Sequence, residues 1–238
     1  MIINKLINKI RGKIKTKINV ISKKAVNFGT LNQKTPIGSN FGLDRGDKSV
    51  IRHYIDSYIK EHRIYIMGAV LEIGDNRYTR KYKNEFITTS DILHIDPQNK
   101  DATIIADLSK GENLKSDKYD CIICTQTIQF IYDIHRAINN MYRMLKPGGV
   151  LLITASGISQ LSRYDMDRWG EYWRLTSLSL EKLLLEAFKK ENVQVTSFGN
   201  VLSAISLLHG LSSDELKEED LNHYDKNYEV AICGYAQK

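Results

Sequence analysis

From residue 69 onward, short apolar runs alternate with stretches of helical period, and this alternation limits the possible folds more than any single motif does. "AVLEI", "FITTSDIL", "ATIIAD", "YDCIICT" and "GGVLLITA" each read as a strand. Between the fourth and fifth, "YDIHRAINNMYRMLKPGG" places Ile134, Ala137, Ile138, Met141, Met144 and Leu145 on one helical face and stops at Pro-Gly-Gly. Strand, helix, strand in this order calls for right-handed crossovers and a mostly parallel sheet covered on both faces. A later helix, "SLSLEKLLLEAFKK", precedes "NVQVTSFGN" and then "YEVAICGYAQK". The prediction is an α/β domain of seven strands with helices on both faces and the last strand antiparallel.

Three further segments lie outside this pattern. Residues 1–24 hold eight of the 34 Lys and Arg and no acid, so the rest of the chain carries 26 basic against 28 acidic side chains, a net of −2. The body is therefore not basic, which argues against a nucleic-acid partner. Ile3, Ile7, Ile10, Ile14, Ile18 and Ile21 recur at helical spacing among the lysines. Such a basic amphipathic helix suits the surface of an anionic membrane, packing on the domain, or life as a solvated tail. Residues 1–27 are read as this arm. Residues 28–64 form a glycine-rich lid segment and a helix, with Asp47 available as its cap and Arg45 and Tyr54 placed to fold over a ligand. Residues 65–238 form the main domain. Cys121 and Cys124, three apart in a strand, face opposite sides and cannot chelate one ion; with Cys233 they read as buried small hydrophobes of a reducing compartment. No metal cluster is expected.

In an open parallel sheet, ligands bind outside the carboxyl ends of the strands. The residues predicted there are "EIGDNRYTR" after the first strand, Asp91 after the second, Asp107 and Leu108 after the third, and Thr125 and Gln126 after the fourth. Three of the four ends present an acid where core packing gains nothing from one. The Gly-x-Gly-x-x-Gly spelling that brings helix amides up to a pyrophosphate is absent. A nucleoside without phosphates asks instead for carboxylates, and a neighbouring sulfonium prefers an electronegative cradle.

These residues resemble the class I S-adenosylmethionine-dependent methyltransferases. "VLEIG" is similar to their first motif, Asp91 to the acid ending their second strand, "ADL" to their adenine-contacting segment, and the stretch from "SDKYDCIICT" to "LKPGGVLLIT" to their fourth strand, helix and turn. The resemblance implies a Rossmann-like fold, S-adenosyl-L-methionine as cofactor, and roles for eight residues. Gly74 admits the methionine part, with Asp75 and Asn76 completing the turn, Asn76 standing in for a second glycine at positive φ. Glu72 orients that loop or the cofactor's amino group. Asp91 takes the ribose hydroxyls, Asp107 the adenine amino group, Leu108 lies against the ring, and Gln126 follows the fourth strand. Gln129 and Phe130 replace the Glu-His that many relatives carry, which removes an obvious histidine.

For the acceptor, "SRYDMDRWGEYWRLT" gathers both tryptophans among charges. Arg168, Trp169, Tyr172 and Trp173 are the expected substrate contacts, suited to a sugar ring or an anionic head group. Asp165 and His53 are the candidate bases. The function expected is O-methylation of a glycan, glycolipid or other small polar acceptor in polysaccharide biosynthesis, in the cytoplasm or at the inner membrane surface. The alternatives are a non-catalytic scaffold subunit and a nicotinamide-dependent oxidoreductase.

Overall fold

The computed structural model describes residues 29–238. The basic arm predicted for residues 1–27 lies outside them. The described chain falls into a short piece, residues 29–34, which holds a single turn at Gly29–Leu31, and a body, residues 35–238.

In the body, α1 (Val50–Glu61) buries Val50, Ile51, Tyr54, Ile55, Tyr58 and Ile59 along one stripe. Its cap is Ser49, whose side chain accepts from the Arg52 amide. Asp47, the cap expected from sequence, stands too far upstream, and its own amide donates to the Asp214 carboxylate. Seven strands follow: β1 (Gly68–Ile73), β2 (Ile87–His94), β3 (Ile104–Ile105), β4 (Tyr119–Thr125), β5 (Leu145–Ser156), β6 (Val193–Phe198) and β7 (Ala231–Gln237). The connecting helices are α2 (Arg77–Lys81), α3 (Ile134–Met144), α4 (Arg163–Met166), α5 (Ser177–Leu185), α6 (Val201–Leu208) and α7 (Glu218–Asn222).

The sheet order is β3-β2-β1-β4-β5-β7-β6. The pairs among β1 to β5 are parallel, and β7 runs antiparallel to both β5 and β6. This is the predicted mostly parallel sheet with its antiparallel last strand. The third strand shrinks to two residues at the sheet edge, where it has one neighbour to bond.

Alternation along the central strands makes two cores. Leu71, Ile122 and Cys124 pack with Ala137, Ile138 and Met141 of α3 and Leu180 and Leu184 of α5. Val70, Cys121 and Ile123 pack with α1 and with Ala204 and Leu207 of α6. Cys121 and Cys124 thus face opposite sides. Burial pushes the Cys124 thiol up to about 12 and that of Cys121 higher still, so both behave as small hydrophobes.

A strap, residues 38–49, crosses from the start of the body to α1. Gly38 fits only because it lacks a Cβ, which would sit 2.1 Å from the Gly210 carbonyl. Arg45 pairs with Glu215 through Nε at 2.9 Å, and the Ser213 amide donates to the Lys48 carbonyl at 2.8 Å.

Candidate active site

Because β2 and β4 flank β1 on opposite sides, the chain reverses its winding beside β1, and a crevice opens at the carboxyl ends. A cavity of about 530 Å³ lies there, within the range of roughly 300–1,000 Å³ usual for ligand sites.

One half is built on β1, β2 and the segment after β3. Gly74 lines it at φ +97° with open space where a Cβ would stand, so the residue serves the turn and leaves the backbone bare to a ligand. The turn is clamped from behind by Glu72. Its buried carboxylate accepts from the Tyr78 amide at 3.0 Å and from the Thr79 amide and hydroxyl, each at 3.0 Å. Desolvation pushes this carboxyl above its ordinary range, against the pull of those amides. Glu72 therefore holds the loop and does not line the cavity. Asp75 lines the wall and accepts from the Arg77 amide at 2.9 Å. Asn76 does not, and its φ of −112° corrects the expectation of a positive-φ substitute for glycine. Gly74 alone supplies the left-handed step of this turn.

The largest correction concerns Asp91. Parallel pairing continues past it to Leu93 and Ile73, so Asp91 sits beside Leu71 within the strand, three residues short of its end. Its carboxylate accepts from Thr103 Oγ1 at 2.8 Å, Lys118 Nζ at 2.5 Å and Tyr119 Oη at 2.9 Å. Burial raises its pKa, but those hydrogen bonds outweigh it and hold the carboxyl below its ordinary range. These groups border a separate recess of about 230 Å³. At the true strand end stands His94, which lines the main cavity. Its Nδ1 accepts from the Asp96 amide at 2.9 Å, which places the ring proton on Nε2, and its edge packs on Trp169 at 6.2 Å between centroids. Asp107 and Leu108 line the cavity; Asp107 Oδ1 accepts from the Ser109 amide and hydroxyl, and Oδ2 lies 3.9 Å from Lys110 Nζ.

The other half is built on the ends of β4 and β5 and the segment around α4. Gln126, at φ +50°, donates its amide to the Thr154 carbonyl, and its Oε1 accepts from Ser156 Oγ at 2.6 Å and Gln129 Nε2 at 3.0 Å. Gln129 is 2% exposed, and its Oε1 has no hydrogen-bond partner among the described residues. Asp165 and Trp169 line this half; Asp165 Oδ2 accepts from Ser162 Oγ at 2.6 Å.

Three of the four expected substrate contacts are turned elsewhere. Arg168 lies 3.7 Å over the Tyr164 ring and donates to the Tyr164 carbonyl. Tyr172 donates to the Trp169 carbonyl, and Trp173 donates Nε1 to the Ile131 carbonyl while packing on the core. Only Trp169 of the set borders the cavity. His53 does not border it either: next in the helix to the lining residue Arg52, its ring packs edge-on against Tyr54 at 5.6 Å between centroids, and burial lowers its pKa. Arg45 and Tyr54 also fall outside the lining. Arg45 is held by Glu215, and Tyr54 is core, stacked on Phe198. From the strap, Phe41, Leu43, Asp47 and Ser49 line the cavity instead. Sequence reasoning missed His94, Arg52 and Phe41. The first could have been found by carrying the strand through "ILH" to the turn at "IDP".

A seven-stranded sheet of this order, with a bare glycine turn after β1 and polar groups along neighbouring strand ends, defines a class I S-adenosylmethionine-dependent methyltransferase. A family model described as "Methyltransferase domain" matches residues 53–196, more than half of the chain, and the protein belongs to that family. Its methyl donor is S-adenosylmethionine, and the open glycine turn beside acceptors and donors at three strand ends fits that group. Among solved structures, a SAM-dependent methyltransferase from Archaeoglobus fulgidus shares the fold with a TM-score of 0.52 at 15% identity, over 79% of this chain and 94% of that one. The N-methyltransferase NodS from Bradyrhizobium japonicum WM9, in complex with S-adenosylhomocysteine, gives a TM-score of 0.49 at 15% identity, over 85% and 94%. A methyltransferase from Thermotoga maritima described as a possible histamine N-methyltransferase gives 0.48 at 16% identity, over 79% and 98%. No curated protein matches the sequence.

Proposed function

We propose that this methyltransferase methylates a hydroxyl of a small polar acceptor such as a glycan or glycolipid precursor. The observation that carries the reading is the division of one cavity into two chemically distinct halves. The bound cofactor supplies an electrophilic methyl group on a sulfonium sulfur. Gly74 would expose the loop backbone to its amino-acid part, His94 Nε2–H and Asp107 would meet the sugar and base, and Arg52, which donates to Tyr78 Oη at 2.9 Å, is a cation of the same region available to a carboxylate. Across the cavity, Asp165 borders the space with a hydroxyl and no cation on its carboxylate, and it would receive the proton of the acceptor hydroxyl as the new O–C bond forms and the S–C bond breaks. Phe130 and Trp169 exclude water and keep the reacting atoms in line.

The basic arm, with isoleucines recurring at helical spacing among lysines, supports a place at an anionic membrane surface on the cytoplasmic side. Removing residues 1–24 should abolish sedimentation with anionic liposomes and leave cofactor affinity intact. For the enzyme itself, titration calorimetry should show S-adenosylhomocysteine binding and no NADH binding. Methyl label from S-adenosylmethionine should then pass to members of a panel of polyols and sugars. Binding of NADH in place of S-adenosylhomocysteine would end the reading.

A further inference from the structure

The β4–β5 half of the cavity is rich in hydrogen-bond acceptors and poor in cations. Asp165 has only a hydroxyl on its carboxylate. Gln129 borders this half, and its side-chain carbonyl oxygen is buried beneath the surface with no hydrogen-bond partner among the described residues; a group left unmatched in this way is stabilised by a donor that reaches it when the amide turns toward the cavity. The three arginines that the sequence places in this segment are all spent elsewhere. Arg163 is paired with Asp167, Arg168 is stacked on Tyr164, and Arg174 is bound to Glu171 and the Gln160 carbonyl. None of them borders the cavity; among the described residues its lining arginines are Arg52 and Arg77, which sit beside Tyr78 and Asp75 next to β1. A phosphate or carboxylate on the acceptor would therefore meet Asp165 with no cation to offset it.

Resting on the reading of this cavity as the site of methyl transfer, we propose that its acceptor half selects a molecule with hydrogen-bond donors and no negative charge, an alcohol or an amine, through Asp165 and Gln129. Gln129 is here a specificity-determining residue, propped by Gln126 and Ser156. The sugar-ring acceptor is retained, and the anionic head group is set aside.

The test needs no identified acceptor. The probes are nitrogen analogues of the cofactor in which the sulfur is replaced by an amine carrying a three-carbon arm that ends in hydroxyl, ammonium, carboxylate or methyl. Titration into the full chain should rank the hydroxyl and ammonium arms about tenfold tighter than methyl, the value of one hydrogen bond to a buried partner, with carboxylate weakest. Gln129→Met should reduce the hydroxyl preference to within about twofold, and Asp165→Asn should relieve the exclusion of carboxylate, while neither changes affinity for S-adenosylhomocysteine by more than about twofold. Hydroxyl above ammonium marks an alcohol acceptor, and the reverse order an amine. Methyl or carboxylate binding tightest in the wild-type protein overturns the inference even if both variants fail to fold. Failure of S-adenosylhomocysteine itself to bind would instead overturn the underlying reading of the cavity.

Discussion

The two halves of the cavity are held by different kinds of structure. On the β1–β3 side, position is set by main chain and by one buried side chain that grips it: Gly74 donates its amide to the Leu93 carbonyl, and the Glu72 carboxylate holds the amides that open the following helix. On the β4–β5 side, position is set by side chains that bond one another in series, from Ser156 to Gln126 to Gln129 and from Ser162 to Asp165. A site fixed by main chain tolerates little drift because strand register determines it. A site fixed by a relay of side chains can be rewritten residue by residue while the sheet stays as it is. This contrast suits an enzyme whose donor is constant and whose acceptor distinguishes it from its relatives.

Four substitutions can break or sharpen that contrast. The largest effect expected is on the acceptor side: Asp165→Ala should lower the turnover of a panel acceptor about 10²–10⁴-fold, the usual contribution of a positioned base, with S-adenosylhomocysteine affinity by calorimetry unchanged. Next is Glu72→Ala, which strands the buried Tyr78 and Thr79 amides and should cost roughly 2–4 kcal/mol in denaturant unfolding; it should weaken cofactor binding with it, because the loop loses its clamp. His94→Ala should weaken S-adenosylhomocysteine about tenfold, one hydrogen bond, without moving the unfolding midpoint.

The smallest effect belongs to Asp91→Asn, about 1 kcal/mol of stability because solvent screens the partly exposed Lys118, with no change in cofactor affinity. Its pH dependence has a fixed sign. The folded carboxyl is held below the unfolded value, so the pair stabilises the fold above that value, near 3.8, and the benefit is lost as pH falls through the folded one. Wild type should therefore lose more stability than Asp91→Asn between pH 5 and acid, and equal losses by thermal melting would show the network to be idle.

Most of the architecture was legible because apolar period and turn residues carry it. The strand and helix segments, the Pro-Gly-Gly stop and the opposed faces of Cys121 and Cys124 follow from local pattern alone. Asp91 was misplaced because strand ends are set by pairing with a neighbour. Nothing in "TTSDILH" marks whether the strand stops at the acid or runs on beside Leu71 and Ile73 to His94. The acceptor side was harder to read for a related reason. In "SRYDMDRWGEYWRLT" every residue type suits a substrate, and only tertiary packing decides that Trp169 and Asp165 border the cavity while Arg168, Tyr172 and Trp173 bond their own backbone surroundings. Asn76 shows the limit of analogy: a residue able to replace glycine was not needed to, because Gly74 alone makes the left-handed step.

The sheet order has one more consequence. β6 reaches the other strands only through β7, which inserts between β5 and β6 although it is the last of the seven in sequence. During synthesis the long edge of β5 stays open, and β6 waits without a partner, until residues 231–237 have left the ribosome. A chain cut before residue 231 would leave β5 with an open edge and β6 with no partner strand, a raw border free to pair with other chains.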